Sequence, residues 1–212
     1  MNVGGRREVD AMSTRRALLT AGLALMHCAF GSSVHAAGGP MDFVAALGNQ
    51  VLAVIRDNSS IEQKRAYFRL VLQQDFDIPA IAAFVLGPFW RIATEGERLE
   101  IVQILDDYIV VTFGRRLYDY GGVGLRVTAS RGSPSEPIVV VSEIARPGGA
   151  PIRLDWVLST RTGVYRIVDL VLDGISMVAT QRSEFAGIIQ RAGGTVAGLI
   201  LTLRQIVAGG IG

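Results

Sequence analysis

The apolar residues of this chain change their spacing once, near residue 121, and that change sets the fold class. Before it they recur at three and four. Phe43, Val44, Leu47, Val51, Val54 and Ile55 do so between Met41 and Ile55, and Phe68, Leu72 and Phe76 continue the pattern in "SIEQKRAYFRLVLQQDF". That is the period of helices with one buried face. After the change, "GLRVTAS", "PIVVVSEIA", "PIRLDWVLST" and "VYRIVDLVLDG" are short, β-branched or aromatic segments divided by Ser-Pro, Pro-Gly-Gly and Arg-Thr-Gly turns. They predict a four-stranded antiparallel meander. The chain then returns to helix, from Ser176 to about Arg191 and from Thr195 to about Val207, with Gly193-Gly194 between. A helical N-terminal half, an antiparallel sheet and closing C-terminal helices define an α+β fold, organised as a single domain over residues 37–212.

Local signals punctuate the helices. Asn58-Ser59-Ser60 breaks the first pattern and supplies an N-cap for the second. Asp77 before Ile78-Pro79 opens a third helix, and Gly87-Pro88 closes it. Thr94, with Glu97 three residues on, has the spacing of a capping box and opens the longest helix, about Glu95 to Tyr120, which Gly121-Gly122 ends.

Strand alternation assigns faces. In the third strand Ile152, Leu154, Trp156 and Leu158 share one face, and Arg153, Asp155, Val157 and Ser159 the other. In the fourth, Tyr165, Ile167 and Val171 share a face with Asp169, while Val164, Val168, Leu170 and Leu172 form the opposite one. A strand so apolar on both sides is expected to be covered on both, by helices or by something that is not protein.

The N-terminal 36 residues read as an export leader. Arg15-Arg16 precede an apolar run from Ala17 to Phe30, and "VHAA" supplies the small residues of a cleavage site after Ala36. The run covers 14 positions, too few for a helix that must cross a bilayer with about 20. Arg15-Arg16 also fit a twin-arginine signal, so both export routes stay open. His27 before Cys28 argues against a lipid-modification site.

Cleavage there removes His27, His35 and Cys28, leaving a mature chain with neither histidine nor cysteine. Cysteine nucleophiles, Ser-His-Asp triads and His or Cys metal sites are thereby excluded, and so are disulfides. Of 21 basic and 19 acidic residues, four and two lie in the leader, so the mature part carries 17 of each. A neutral domain with scattered arginines lacks the clustered basic footprint of a nucleic-acid binder.

Little else suggests catalysis. The glycines at 121, 122, 124, 148 and 149 lack the lysine and the strand-loop-helix setting of a phosphate loop. Asp106 and Asp107 are helix neighbours about 100° apart, which suits a solvated face better than an acid and base pair. Asp169, on an apolar strand face, needs a partner; Arg91, Arg153 or Arg166 would make a structural ion pair, and a polar group of a ligand would make a functional contact.

Several stretches carry a family resemblance: "FDIPAIAAFVLGPFWRIATEGER", "DYIVVTFGRRLYDY", "YRIVDLVLDGISMVATQRSEFAGIIQRAGG" and "VAGLILTLRQ". Together they resemble the MlaC, or toluene-tolerance, family of periplasmic phospholipid-binding proteins, over roughly Phe43 to Gln205. The sharpest matches are VLG-x-x-WR-x-AT at Val85 to Thr94, and DGIS followed by R-x-x-F at Arg182 to Phe185. Where many members have tyrosine before that arginine, this chain has Gln181.

The resemblance implies a non-enzymatic periplasmic carrier that needs no cofactor and whose cargo is phospholipid. Its partners would be an inner-membrane ABC transporter with an MCE-domain protein and an outer-membrane lipoprotein complex, and its role outer-membrane lipid asymmetry. Acyl chains would lie in a cavity walled by Phe84, Phe89, Trp90, Leu105, Tyr108, Ile109, Phe113, Leu154, Trp156, Ile167, Val171 and Ile175. Arg91 and Asp169 would serve the headgroup or a structural ion pair. Alternatives left open are a carrier of another lipid such as a hopanoid, an envelope hydrolase using carboxylates alone, and a non-carrier structural partner of a transporter.

Overall fold

The computed structural model describes residues 38–119, 124–133, 136–146 and 148–210, all within one unit, Ser33–Gly212. The expected leader, the Gly121-Gly122 stop, Pro134 and Pro147 lie outside the described residues. Helices α1 (Pro40–Arg56), α2 (Ile61–Asp75), α3 (Ile78–Leu86), the one-turn α4 (Phe89–Ile92) and α5 (Glu95–Asp119) come first. Strands β1 (Leu125–Arg131), β2 (Ile138–Ile144), β3 (Ile152–Ser159), β4 (Arg166–Leu172) and β5 (Ile175–Ser176) follow. Helices α6 (Met177–Arg191) and α7 (Val196–Gly210) close the chain.

The caps form where short-range chemistry predicts them. Ser60 Oγ accepts from the Gln63 amide at 3.2 Å and Gln63 Oε1 accepts from the Ser60 amide at 2.8 Å. Thr94 and Glu97 make the same reciprocal pair at 2.8 and 3.2 Å, and Asp77 Oδ1 accepts from the Ala80 amide at 3.1 Å. Each satisfies amides that a helix start leaves without partners. Gly193 and Gly194, with φ of +80° and +78°, take the left-handed turn between α6 and α7 that other residues adopt only at a cost.

The sheet is an antiparallel meander in the order β1-β2-β3-β4-β5, one strand more than expected. Asp173 and Gly174, with φ of +47° and +85°, form a two-residue hairpin turn. It folds Ile175 and Ser176 back onto Leu172 and Val171 before α6 begins. On the outer edge of β4, Phe76 bridges to Ile167 in parallel, and the Asp77 amide donates to the Ile167 carbonyl at 2.9 Å. Both ends of an edge that would otherwise offer free backbone groups are thereby paired.

Strand β4 departs from simple alternation. Val157 pairs with Asp169 while Leu158 pairs with Ile167, so Val168 is an extra residue, a β-bulge. Cross-strand partners share a face; Ile167, Leu170 and Leu172 therefore lie on the side of Leu158, Trp156 and Leu154. Asp169 and Val171 lie on the opposite side, with Val157 and Asp155. The expectation that Ile167, Asp169 and Val171 share a face is thus corrected, because the bulge reverses the pleat between them.

One sheet face carries a packed core. Val140, Leu154, Trp156, Leu158 and Ile167 join Phe43, Val44 and Leu47 of α1 and Val71 of α2 in a core cluster. A second cluster lies among the helices, where Leu72, Val85, Leu86, Leu105, Phe185, Ile189, Leu199 and Leu203 are closed from solvent. Phe76, at the joint between α2 and α3, packs against both. The other sheet face is not covered throughout, as the apolar reading of β4 had suggested. Over β1 to β3 it carries Arg126 paired with Glu143, and Arg153 and Arg131 on the buried carboxylate of Asp155.

Within the sheet core Trp156 Nε1 donates to Ser142 Oγ at 2.9 Å, and Ser142 Oγ donates to the Leu154 carbonyl at 2.8 Å. Both side chains are buried. Ser142→Ala leaves a buried indole N–H without an acceptor, which costs about 1–3 kcal/mol. Urea unfolding is expected to show that loss with an unchanged m-value; a loss near zero would contradict this account of the core.

Candidate functional site

A cleft of about 510 Å³ opens where the helical layer meets β3 and β4. Its walls are Ala80 and Phe84 of α3, Val157 to Arg161 at the end of β3, Val168 and Asp169 of β4, Val178 of α6, and Glu136 and Pro137 before β2. Two local features build it. The Asp77 cap sets the start of α3, so Ala80 and Phe84, four apart, face the same way. The bulge at Val168 turns that residue and Asp169 into the opening together. Its size falls within the roughly 300–1,000 Å³ of small-molecule pockets.

Asp169 has partners, but they are not arginines. Its carboxylate accepts from Ser176 Oγ at 2.6 Å and from the Val178 amide at 3.1 Å. It therefore ties β4 to the first turn of α6, where negative charge is favoured. The expected ion pair with Arg91, Arg153 or Arg166 does not form. Arg153 grips Asp155 with two bonds of 2.8 Å, and Arg166 donates to the Gln73 carbonyl at 3.3 Å. Arg91 is exposed on the one-turn helix α4.

The residues expected to line a cavity divide among three environments. Leu105 and Tyr108 are buried in the helical cluster, and Phe89, Trp90, Ile109 and Phe113 pack on its margin. Leu154, Trp156 and Ile167 belong to the sheet cluster instead. Phe84 alone of the aromatics named lines the cleft, with 45% of its surface exposed. Val171 is half-buried on the opposite sheet face. Ile175 is 60% exposed on the β4–β5 hairpin and is not a wall residue, because the Asp173-Gly174 turn carries it outward.

Aromatic contacts lock several of these rings. The Arg98 guanidinium stands 5.5 Å from the Trp90 ring centroid and donates from Nε to the Trp90 carbonyl at 2.9 Å. Tyr108 meets Phe185 edge-on at 5.6 Å. Its hydroxyl accepts from Gln181 Nε2 at 3.1 Å, and burial raises the Tyr108 pKa. Gln181 is thus a buried polar link between α5 and α6.

Two stretches far apart in sequence meet at Gly87. Its backbone, φ +54° and ψ −122°, lies in a region that favours glycine. A Cβ built there would come within 2.8 Å of the Arg182 Nε and Nη2 atoms. The Arg182 guanidinium also stands 5.4 Å from the Phe84 ring centroid. Sequence reasoning passed over Ala80, Val168, Val178, Arg161 and Arg182 as site residues. The four-residue spacing of Ala80 and Phe84 was a local signal for the first, and the R-x-x-F match at Arg182 to Phe185 marked the last without assigning it a role.

The paired acids of α5 are partly exposed, as expected of a solvated face, but both are engaged with α2. Asp107 binds Arg69 Nε at 3.1 Å, and Asp106 Oδ2 accepts from Gln73 Nε2 at 3.2 Å, linking α5 to α2. A second hollow, about 420 Å³, lies at the β1–β2 end around Arg126, Glu143 and Arg146 and holds none of the expected residues. Among the described residues no group of three or more Asp, Glu, His or Cys is placed to hold a metal ion.

The family model described as MlaC protein matches residues 45–205, well over half of the chain. The chain belongs to that family. A curated relative, the intermembrane phospholipid transport system binding protein MlaC of Haemophilus influenzae, is 21% identical over 145 residues, 65% of this chain and 68% of its own. A phospholipid-binding protein from Ralstonia solanacearum, solved in complex with a phospholipid, superposes with a TM-score of 0.70 at 21% identity. That match covers 82% of this chain and the whole of the other, so the two share a fold.

Asp106 carries a testable consequence. Its Oδ1 is buried without a hydrogen bond, and burial pushes its carboxyl above the ordinary 3.8, with the Gln73 bond opposing and the Asp107 charge adding. The folded state therefore holds that proton more tightly than the unfolded chain, and stability falls as pH rises from the ordinary carboxyl range through the raised value. Asp106→Asn keeps an acceptor for Gln73 and removes the buried charge. Its melting temperature is expected above the parent's at neutral pH, with the gap closing in acid; a lower value at neutral pH would contradict the burial argument.

Proposed function

We propose that this protein is a periplasmic phospholipid carrier, exported by its N-terminal 36 residues and moving lipid between the outer and inner membranes. Family membership and a shared fold with a protein solved around a phospholipid support the reading. The observation that carries it is the division of the interior into two apolar clusters that meet at Phe76, beside a cleft at the same α3–β4 junction. Acyl chains entering between α3, α6 and β4 would meet the apolar side chains of Ala80, Phe84, Val168 and Val178, with the charged groups at the rim.

The reading needs no catalysis and no cofactor. Its cargo would be held by the tails, so polar headgroups of different kinds would be accepted. Handover would engage a lipoprotein complex at the outer membrane and an ABC transporter with an MCE-domain protein at the inner one. Among the described residues no single helix is long and apolar enough to cross a membrane.

The test fills the cleft. Ala80→Trp places an indole where the α3 wall faces β4, and uptake of a fluorescent diacyl phospholipid from vesicles is expected to fall at least about tenfold, the effect of some 1.4 kcal/mol. Ile175→Trp, on the exposed hairpin, serves as the control and is expected to take up lipid like the parent. Equal uptake by both variants and the parent would contradict the cleft as the route of entry.

A further inference from the structure

We propose that Arg182 is the phosphate-binding residue of the site, holding the phosphodiester of the lipid at the rim of the cleft. The inference rests on the carrier reading and extends it to the polar end of the cargo. Arg182 is exposed on α6, one turn beyond the cleft residue Val178. Its guanidinium stands over the ring of Phe84, which lines the cleft, and against the bare Cα of Gly87. Neither neighbour is a hydrogen-bond acceptor for its five N–H donors. Among the described residues it has no ion pair and no hydrogen bond.

Arg161, the arginine that lines the opening, is engaged: it binds Asp77 Oδ2 at 3.0 Å. Arg182 is thus a cation held in place by packing with its donors unused, the arrangement that suits a phosphate group. The cleft itself is hostile to an anion, since the Asp169 carboxylate and Glu136 line it. Tails inside and phosphate outside, against Arg182, is the orientation in which both halves of a phospholipid meet their match. Because every glycerophospholipid carries that phosphate, the contact is compatible with acceptance of many headgroups.

The experiment uses the delipidated mature protein and vesicles containing a zwitterionic phospholipid or the neutral diacylglycerol with the same chains. The parent is expected to take up the phospholipid roughly three- to tenfold better, the range of one charge-assisted bond at an exposed site. Arg182→Gln is expected to lose that preference while keeping its uptake of diacylglycerol, and Arg182→Lys to retain part of it. An unchanged preference in Arg182→Gln would overturn the proposal, as would an equal loss of both lipids in Arg182→Gln and Arg182→Lys, which marks a purely structural role. A parent that takes up neither lipid contradicts the carrier reading instead. Excess inorganic phosphate that abolishes the preference supports the same anion contact. A shift of the Arg182 side-chain resonance by inorganic phosphate with no response to lipid assigns the site to free phosphate and overturns the lipid assignment.

Discussion

The bulge at Val168 is the constraint on which the arrangement of this molecule depends. Strand β4 must bury Ile167 in the sheet core on one side and offer Asp169 to α6 on the other, yet in a regular strand residues two apart point the same way. One extra residue resolves the conflict, since it reverses the pleat between them. The Asp169 carboxylate then receives the Ser176 hydroxyl and the Val178 amide, which fixes where α6 starts. Helix α6 in turn carries Phe185 and Ile189 into the helical core and Arg182 onto Phe84 and Gly87. The placement of the helical layer beside the sheet thus begins at a single irregular residue pair.

That placement leaves two apolar cores where a domain of this size could form one. The sheet core is closed by α1 and α2, the helical core by α3, α5, α6 and α7, and Phe76 belongs to both. Two acyl chains hold roughly 30 methylenes, and at about 0.8 kcal/mol each their exposure to water costs on the order of 20–25 kcal/mol. A protein that offers a seam between apolar surfaces supplies what such a cargo lacks in an aqueous compartment. The specific contacts it needs are few, because the driving force is non-directional.

Much of this was legible from local chemistry. Ser60, Asp77 and Thr94 announced their helices because a cap is a bond between residues three apart. The order of helices and strands followed from one change of period, and the buried face of β3 from plain alternation. Features that depend on pairing were not legible. The β4 bulge, visible only against its partner strand, put Ile167 and Asp169 on opposite faces and moved Val171 away from the sheet core. The Asp173-Gly174 turn exposed Ile175, and Asp169 found its partners across that turn and not among the arginines. Arg182 and Gly87, separated in sequence by α4, α5 and the whole sheet, meet only in the folded chain.

Native mass spectrometry of the mature protein, purified from the periplasm without detergent and followed by solvent extraction, addresses the carrier claim most directly. The account predicts an added mass equal to one or two diacyl phospholipids per chain, recovered as such in the extract. A protein that arrives without lipid and takes up none from liposomes would contradict it.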